Sequence, residues 1–484
     1  MLLTLLACPS PDPLVPKDTQ PQVTYTDDTS DPGGDGGDGG DGGDGGDGGD
    51  DTQPDDTAVT EITPALVFDD DLPTNVIVLT VDTLRRDHLS AYGYTDDVSP
   101  AMDKILSEGV ALNDHRSCSS WTYPSMLCVL TGADQTTTGF FPANNDGAPP
   151  QAPDDLTLMA EHFQAAGYHT LLAGATGFLG GSSNMNQGYT DGSSGFEYEV
   201  YANGRPGEQV LTQAKGLLNV RPKDQPFFLH MHLLDPHMPY HPPDESYLEG
   251  IDELPETTYD FSTEEGTLSL WAAFPNLGET AQTVNLSHMD FRYDADIRYT
   301  DDLIAQFLAW MDQEGLWEDT LLVFYVDHGE EFWEHDNFNH GYTAYEEVTR
   351  TVAAFYQPGN LQPAAVDTLT EHQDLLPTMA AIVGLDADEG WTGQVVGEAE
   401  REGLFNLTYR VDKTVQSWTD GAVKLIYRWD GQKHFYELHT DPTEQANVYD
   451  ADDARIQAAW SYLLPEVERL AAQTKAAAPV DAGP

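Results

Sequence analysis

Basic side chains are scarce in this chain of 484 residues, which has 21 Lys and Arg against 83 Asp and Glu and a formal charge of −62 at pH 7. This balance excludes a nucleic-acid-binding protein that works through a basic surface. Residues 1–71 account for 18 of the acidic residues and one of the basic ones, which leaves 65 against 20, or about −45, for the rest. The acidic excess therefore belongs to the whole chain and favours a protein whose self-repulsion is screened in salt-rich or calcium-rich fluid.

The N-terminus lacks both a long apolar run and a basic start. Met1 to Ala7 is far shorter than the about 20 residues that span a bilayer. The run ends in Leu5-Leu6-Ala7-Cys8, which resembles the lipobox of bacterial lipoproteins. That resemblance implies a signal at residues 1–7, a membrane anchor through lipidated Cys8, and a place in the bacterial cell envelope, periplasmic or at the cell surface, or secretion. An accidental Cys after a misassigned start remains the alternative, because no basic residue precedes the run.

A repeat of Gly and Asp with period three covers residues 33–50. It contains no Pro, which excludes collagen, and no recurring apolar residue, which excludes the calcium-binding nonapeptide repeat. We expect residues 8–72 to be an acidic, solvated linker, with weak attraction of calcium as a lesser alternative.

Beyond residue 73 the chain has what a folded core needs, since 39% of all residues are hydrophobic and 10% aromatic. Continuous apolar runs, typical of strands covered on both faces, alternate with helical patterns. We therefore predict for residues 73–385 an α/β domain with a doubly wound mixed sheet flanked by helices. The predicted strands are 75–81, 168–173, 227–234 and 321–326, and the predicted helices are a short one after Ser99-Pro100, 155–166 and about 293–314.

The pattern changes again after about residue 386. The runs 423–429 and 434–438 flank Asp430-Gly431, a hairpin signal. The sequence predicts a small C-terminal antiparallel subdomain of α+β type at 386–470 and a frayed tail at 471–484.

Polar side chains follow three of the predicted strands. Asp82 follows the first, His237 follows the strand at 227–234, and Asp327 and His328 follow the last. Ligands bind at the carboxyl ends of strands in open α/β sheets, and carboxylates collected with imidazoles are typical of a divalent metal site. Taken alone, Asp82 is better explained as an ordinary turn cap. The run of acids and histidines from Asp327 to Glu347, in contrast, is too rich in ligand types for a plain loop.

A hydroxyl group is predicted to lie near a helix N-terminus in the segment 119–132. Pro124 suits a first helical turn, which places Thr122 near the N-cap, where free N–H groups favour an anion. Such a hydroxyl can bind a metal and attack an ester. A plain Thr cap is the alternative.

Together these segments resemble the sulfatase family, within the alkaline phosphatase superfamily, over residues from about 75 to 447. The motifs that carry the resemblance are 81–87 with 91–94, the nucleophile motif 122–126 with 131–132, the histidine loop 235–240, the metal segment 327–347, and the C-terminal signature 437–442 with Asn447. Five ordered motifs at the family's spacing do not arise easily by chance.

The resemblance implies a role for each matching residue. Asp82, Asp327 and His328 would bind a divalent cation, Ca, Mn, Mg or Zn, and Thr122 would complete its shell as the nucleophile. His237 would hold the transferred group or the leaving oxygen, and His340 stands near the family's basic residue that protonates the leaving group. The weaker candidates for substrate binding are His232 and Arg86, and the residues expected to be structural or at the rim are His335 and His241.

The chain departs from the family pattern at three positions. Thr122 replaces the Cys or Ser that becomes formylglycine, and its methyl group prevents conversion to that aldehyde. Met126 replaces the usual Arg, and Val81 replaces a second Asp common in calcium-binding members. A sulfated Thr would have to be released by attack at a crowded sulfur, whereas a phosphorylated Thr is hydrolysed more readily, as the superfamily's Thr-dependent phosphodiesterases and phosphoalcohol transferases suggest.

The leading hypothesis is a metal-dependent hydrolase of sulfate or phosphate esters, with phosphoesters or phosphodiesters favoured. Its substrate would be a sulfated or phosphorylated small molecule, glycan or lipid. A phosphoalcohol transferase at the cell surface and a non-catalytic binding scaffold are the alternatives. Cys118 and Cys128 flank Thr122, either as a disulfide in an oxidising compartment or as two buried thiols.

Overall fold

A computed structural model describes residues 60–141, 151–193, 206–410 and 413–477. The predicted signal, Cys8 and the Gly/Asp repeat lie outside these ranges. The predicted linker 8–72 extends too far, because strands β1 (Thr60–Thr63) and β2 (Leu66–Phe68) form an antiparallel hairpin. Leu66 and Phe68 on this hairpin are fully buried, which ties it to the domain. Within the described residues, no helix is both long enough and apolar enough to cross a bilayer.

The centre of the molecule is a mixed sheet of eight strands in the order β12-β4-β11-β8-β3-β7-β5-β6. Strand β11 is antiparallel to both neighbours and the other pairs are parallel. The strands are β3 (Asn75–Val81), β4 (Val110–Arg116), β5 (His169–Gly174), β6 (Asp191–Ser193), β7 (Phe227–Leu233), β8 (Thr320–Val326), β11 (Ala353–Tyr356) and β12 (Ala364–Glu371). The predicted fold class is confirmed.

Helices cover both faces of this sheet, and the alternation of side chains on β3 shows why. Ile77, Leu79 and Val81 point into one core, and Val76 and Val78 into the other. The helices are α1 (Pro100–Glu108), α2 (Thr122–Thr131), α3 (Gln135–Thr138), α4 (Met159–Ala165), α5 (Gly207–Val220), α6 (Glu264–Ala273), α7 (Glu279–Gln313), α8 (Glu346–Thr349) and α9 (Leu375–Val383).

The N-terminal ends of three predicted helices differ in part from the structure. Helix α4 begins at Met159, four residues after the expected 155. Helix α7 begins at Glu279, well before the expected 293, because its first turns are polar and carry little apolar pattern. Helix α1 does follow Ser99, but the acceptor at its N-terminus is the carboxylate of Asp301, which receives the N–H groups of Ala101 and Met102.

A second sheet of four antiparallel strands forms the C-terminal subdomain. Its strands are β13 (Leu404–Thr408), β14 (Val415–Thr419), β15 (Val423–Arg428) and β16 (Lys433–Glu437). Helix α10 (Ala454–Ala477) packs on one face through Ile456 and Leu463. The other face contacts Ala344 and Tyr345 of the catalytic domain. The predicted tail at 471–484 is therefore wrong as far as residue 477.

A short hairpin, β9 (Glu331–Phe332) and β10 (Phe338–Asn339), projects beyond the end of β8. Its register pairs Glu331 with Asn339. The next residues outward, Glu330 and His340, therefore lie next to each other at the edge of the main sheet.

Candidate active site

The polar residues predicted after the strands meet because β7, β3 and β8 are adjacent and parallel. Val81 is paired with Leu233 on one side and with Val326 on the other, so the three strands end at the same level. The Asp82 N–H donates to the Leu233 carbonyl at 3.0 Å. This register brings Asp82, Asp327 and His328 to one edge of the sheet.

Two buried carboxylates face each other there. Asp82 and Asp327 are 1% and 0% exposed. Oδ1 of Asp327 accepts hydrogen bonds from the N–H groups of His328, at 2.7 Å, and of Thr83, at 3.2 Å. Thr83 has a φ of 55°, a left-handed conformation that turns its N–H toward this carboxylate. Burial and the negative charge of Asp82 raise the pKa of Asp327 well above its usual value.

The remaining oxygen of Asp327 fits a metal ion. Oδ2 is buried and finds no hydrogen-bond donor among the residues that the structure describes. It lies 3.5 Å from Nε2 of His328, and Nε2 of His232 lies 3.5 Å from Oδ2 of Asp82. Ligand atoms of Asp82, His232 and Asp327 all lie within 4.8 Å of one another. Oxygen and imidazole donors at this spacing, around an orphaned carboxylate oxygen, suit a divalent cation.

The hydroxyl of Thr122 reaches the same group. Thr122 is the first residue of α2, with Trp121 at the N-cap, close to the predicted place. Its Oγ1 lies 3.1 Å from Nε2 of His328 and 3.5 Å from Oδ2 of Asp82. The structure thus brings together Asp82, Thr122 and the pair after β8, the four residues that the sequence assigned to one site.

The His328 ring is held in one tautomer by its neighbour. Nδ1 donates to the Gly329 carbonyl at 2.8 Å, so Nε2 carries the lone pair that faces Thr122. Burial is the main cause that lowers the pKa of His328 well below its usual value, and the nearby His340 adds to it. The ring is therefore neutral, and Thr122 Oγ1–H is the donor in their hydrogen bond.

Helix α2 is fixed to the end of β8 by Ser125, which the sequence analysis did not single out. Its hydroxyl donates to the Asp327 carbonyl at 2.6 Å and also lies 3.1 Å from Nδ1 of His372. His372 is in turn 3.0 Å from the Val326 carbonyl through Nε2. These contacts set the distance between the Thr122 hydroxyl and the carboxylates. Ser125 lies within the nucleophile motif, but no local signal marks His372.

His340 stands beside this group because of the β9–β10 register. Its Nδ1 is 3.0 Å from Oε1 of Glu330, a fully buried carboxylate, and the Tyr240 hydroxyl donates to the other oxygen at 3.2 Å. The His340 ring centroid is 4.4 Å from that of His328. Glu330 and Tyr240 hold the predicted acid in place, and neither was predicted; Glu330 directly follows the motif Asp327-His328-Gly329, which is the signal that could have found it.

His237 and Arg86 occupy different surroundings. His237 follows β7, and its ring packs edge-on against His340 with centroids 5.3 Å apart. Arg86 lies over the Tyr92 ring and donates to the Asn113 carbonyl at 3.0 Å. The structure thus brings His237 to the site and directs the Arg86 guanidinium elsewhere.

The two histidines expected to be structural or at the rim lie outside the group around Thr122. His335 forms an ion pair with Glu347 at 2.6 Å and stacks on Tyr345. Burial disfavours its charged form, but Glu347 and Glu331 outweigh burial and raise the pKa of His335 to about 9. His241 is half-buried.

The departures from the family pattern are accommodated by the core. Met126 and Val81 are fully buried among apolar side chains, in the two cores on opposite faces of the sheet. Cys118 and Cys128 form a disulfide that joins the segment before Thr122 to the middle of α2. Of the two alternatives left open by the sequence, the bridge is the one the structure contains.

Comparison with known proteins agrees with this geometry. The sulfatase family model matches residues 74–385. An uncharacterized sulfatase of Escherichia coli is 25% identical over 426 residues, covering 78% of this chain and 83% of the relative. An arylsulfatase of Clostridium perfringens is 23% identical over 460 residues, covering 81% of this chain and 94% of the relative. The phosphonate monoester hydrolase of Agrobacterium radiobacter has a similar fold, with a TM-score of 0.64, 18% identity, and coverage of 83% of this chain and 96% of that one. Because the family model spans more than half of the sequence, the chain belongs to the sulfatase family of hydrolases, which act on esters of sulfuric or phosphoric acid.

Proposed function

We propose that this protein hydrolyses phosphate or sulfate esters with Thr122 as the nucleophile, and that phosphoesters or phosphodiesters are the favoured substrates. The observation that carries the proposal is the position of Thr122 Oγ1, within 3.5 Å of both Asp82 Oδ2 and His328 Nε2. A buried hydroxyl held between a carboxylate and a neutral imidazole is placed to lose its proton and attack.

The residues that would hold a divalent cation are Asp82, Asp327, His328 and Thr122, with His232 beside them. When bound, Ca, Mn, Mg or Zn would supply positive charge to polarise the ester and favour the ionised hydroxyl. Oδ1 of Asp327 is occupied by two backbone N–H groups, so its Oδ2 is the oxygen directed at the ion.

The leaving group departs on the side of His340. Nδ1 of His340 is held by Oε1 of Glu330 at 3.0 Å, which leaves Nε2 as the nitrogen that would donate a proton to the leaving oxygen. His237, packed against His340, is placed to bind the non-bridging oxygens of the transferred group.

Threonine at position 122 is the reason for favouring phosphorus over sulfur. Water can displace the phosphoryl group from a phosphorylated Thr by attack at phosphorus, whereas a sulfated Thr offers a crowded sulfur and no elimination route. The likeness in fold to a phosphonate monoester hydrolase is in keeping with this preference.

The decisive experiment is a substrate and metal panel with matched variants. Purified protein is assayed on 4-nitrophenyl phosphate, bis(4-nitrophenyl) phosphate and 4-nitrophenyl sulfate with Mn, Ca, Mg or Zn. We expect T122A and D327N to lose about a thousandfold or more in kcat. T131A is the control, because it removes another buried hydroxyl from the same helix, one that bonds the Leu127 carbonyl.

Three outcomes would contradict the proposal or redirect it. Full activity in T122A or D327N would reject the assigned site. Metal binding without turnover of any substrate would favour a binding scaffold. Transfer of the phosphoryl group to an added alcohol, rather than to water, would favour a transferase.

We also propose that the protein is exported and tethered through Cys8. The Cys118–Cys128 disulfide supports an oxidising compartment, since such bridges are rare in the cytosol. C8S expressed in a bacterial host should leave the membrane fraction and appear in the soluble fraction. Equal membrane content in C8S and the wild-type protein would contradict the anchor.

A further inference from the structure

The C-terminal subdomain delivers an arginine to the rim of the active site. Arg410 follows strand β13, and its Nε donates to the Gly341 carbonyl at 2.8 Å. Its guanidinium carbon lies 5.3 Å from the Trp121 ring centroid and 4.4 Å from that of Tyr342. Trp121 precedes Thr122 and Gly341 follows His340, so the guanidinium lies between the segments that carry the proposed nucleophile and the proposed acid.

Gly341 allows this close approach. It has a φ of 81°, and a Cβ built there would lie 2.6 Å from Nη2 of Arg410. Any larger residue at this position would be strained and would displace the guanidinium. The aromatic rings and the Gly341 carbonyl therefore hold the arginine in one place.

Arg410 differs in its partners from three arginines that are anchored by acidic side chains. Arg85, Arg116 and Arg401 each form ion pairs with Asp or Glu side chains. Among the described residues, no carboxylate pairs with Arg410, although the chain has 83 acidic residues. The Nζ of Lys413, 5.9 Å from the Tyr342 ring centroid, adds a second cation nearby. Two cationic side chains thus lie near the Tyr342 ring.

A guanidinium whose faces are covered by aromatic rings still offers its edge to an anion. Two N–H groups on that edge match two oxygens of a phosphate, sulfate or carboxylate. The chain as a whole is strongly acidic and repels polyanions, so the Arg410 guanidinium beside the nucleophile favours binding of an anionic ligand at this place.

We infer that Arg410 forms a subsite for a second anionic group on the substrate, distinct from the ester that is cleaved. The inference rests on the proposed function of the Thr122 site and narrows its substrates to molecules with at least two anionic groups, such as a multiply sulfated or phosphorylated sugar. Arg410 binds and orients the substrate there and takes no part in bond cleavage.

Binding of a polyanion to the full-length protein tests this subsite separately from catalysis. Sucrose octasulfate is titrated calorimetrically into the wild-type protein, R410Q and R410K at low salt, with uncharged sucrose as the reference probe. We expect Kd to rise about tenfold in R410Q and less in R410K. The matched control is R428Q, which removes an arginine of the same sheet that lies over Trp429.

G341A is a second test that leaves the charge intact. We expect it to weaken octasulfate binding as R410Q does, because it displaces the guanidinium. Unchanged Kd in R410Q, an equal loss in R428Q, or wild-type binding no tighter than that of sucrose would overturn the subsite. Failure of the proposed function would show itself differently, as absence of ester cleavage in the panel assay.

Discussion

At the scale of single residues, each histidine of the site is held by a different partner. Nδ1 of His328 is fixed by a backbone carbonyl and remains neutral, whereas Nδ1 of His340 faces the carboxylate of Glu330. A neutral ring suits metal binding or proton acceptance, and a ring beside a buried carboxylate suits proton donation. His328 is therefore suited to the side of the nucleophile, and His340 to the side of the leaving group.

The proposed acid role of His340 predicts a dependence on the leaving group. Replacing His340 with Gln should lower kcat about a hundredfold or more for phenyl phosphate, whose leaving group needs a proton. The loss should be much smaller for 4-nitrophenyl phosphate, whose leaving group departs as a stable anion. Steady-state kinetics of both substrates measure this, with the exposed His439→Gln as the control. Equal losses for both substrates would argue against proton donation.

His335 predicts a dependence of stability on pH. Its pKa in the folded protein is about 9, against 6.5 for an unperturbed histidine. A raised pKa means that the stabilisation is complete below pH 6.5 and disappears as the pH rises through 9, and at most it amounts to about 3 kcal/mol. Glu331 acts in the same direction, because burial and Glu347 raise its pKa to about 8.

Urea unfolding at pH 6.5 and pH 9.5 measures this effect. The wild-type protein should lose more of its free energy of unfolding between these pH values than H335Q does. A decrease of the same size in both proteins would show that His335 is not the titrating group.

At the scale of elements, the disulfide constrains the start of α2, where Thr122 lies. The double variant C118S/C128S opens a loop with a sequence separation of 10 and should lose about 2–3 kcal/mol of stability. We also expect kcat to fall, because the segment that places the nucleophile is no longer tied to its helix. Denaturant unfolding and the phosphate assay measure the two effects, and C8S should change neither.

The helices and strands that could be predicted from the sequence are those whose burial leaves a clear apolar pattern. Strand β3 was predicted with its exact bounds, because a strand covered on both faces reads as one apolar run. The start of α7 was missed because its first turns are polar. Helix α10 was not predicted, and its last residues were expected to be a frayed tail. The catalytic motifs were found in the sequence, but Glu330 and Tyr240 became visible as partners of His340 only with the β9–β10 register.

At the scale of the whole molecule, a buried ionic cluster joins the C-terminal sheet to the catalytic domain. Lys424 on β15 is 1% exposed and pairs with Glu346 at 3.0 Å and with Glu444 at 3.4 Å. Glu346 is the first residue of α8, six positions after His340, so the cluster ties the subdomain to the segment that follows the active-site loop.

Removing the charge of Lys424 should therefore destabilise the protein strongly. We expect K424M to lose about 3 kcal/mol, because it leaves the buried Glu444 without its cation and Glu346 with Arg116 as its remaining close partner. The control K104M removes a lysine of an exposed pair with Glu108, worth at most about 1 kcal/mol. Urea unfolding of both variants measures these losses. Similar losses of unfolding free energy in K424M and K104M would show that the cluster contributes no more than an exposed ion pair.

The net charge of −62 predicts a response to salt. Self-repulsion within the folded chain is screened at high ionic strength, so Tm should rise between about 0.05 and 1 M NaCl. Differential scanning calorimetry measures the shift. A Tm that stays constant or falls would indicate that specific ion pairs outweigh the general repulsion.

The hydrogen bonds that Asp327 accepts from the N–H groups of Thr83 and His328 also bear on the order of folding and cation binding. Because main-chain donors just beyond the ends of two neighbouring strands orient this carboxylate, its orientation is set as the polypeptide folds and needs no ion as a template. The protein can thus fold first and bind a cation afterwards.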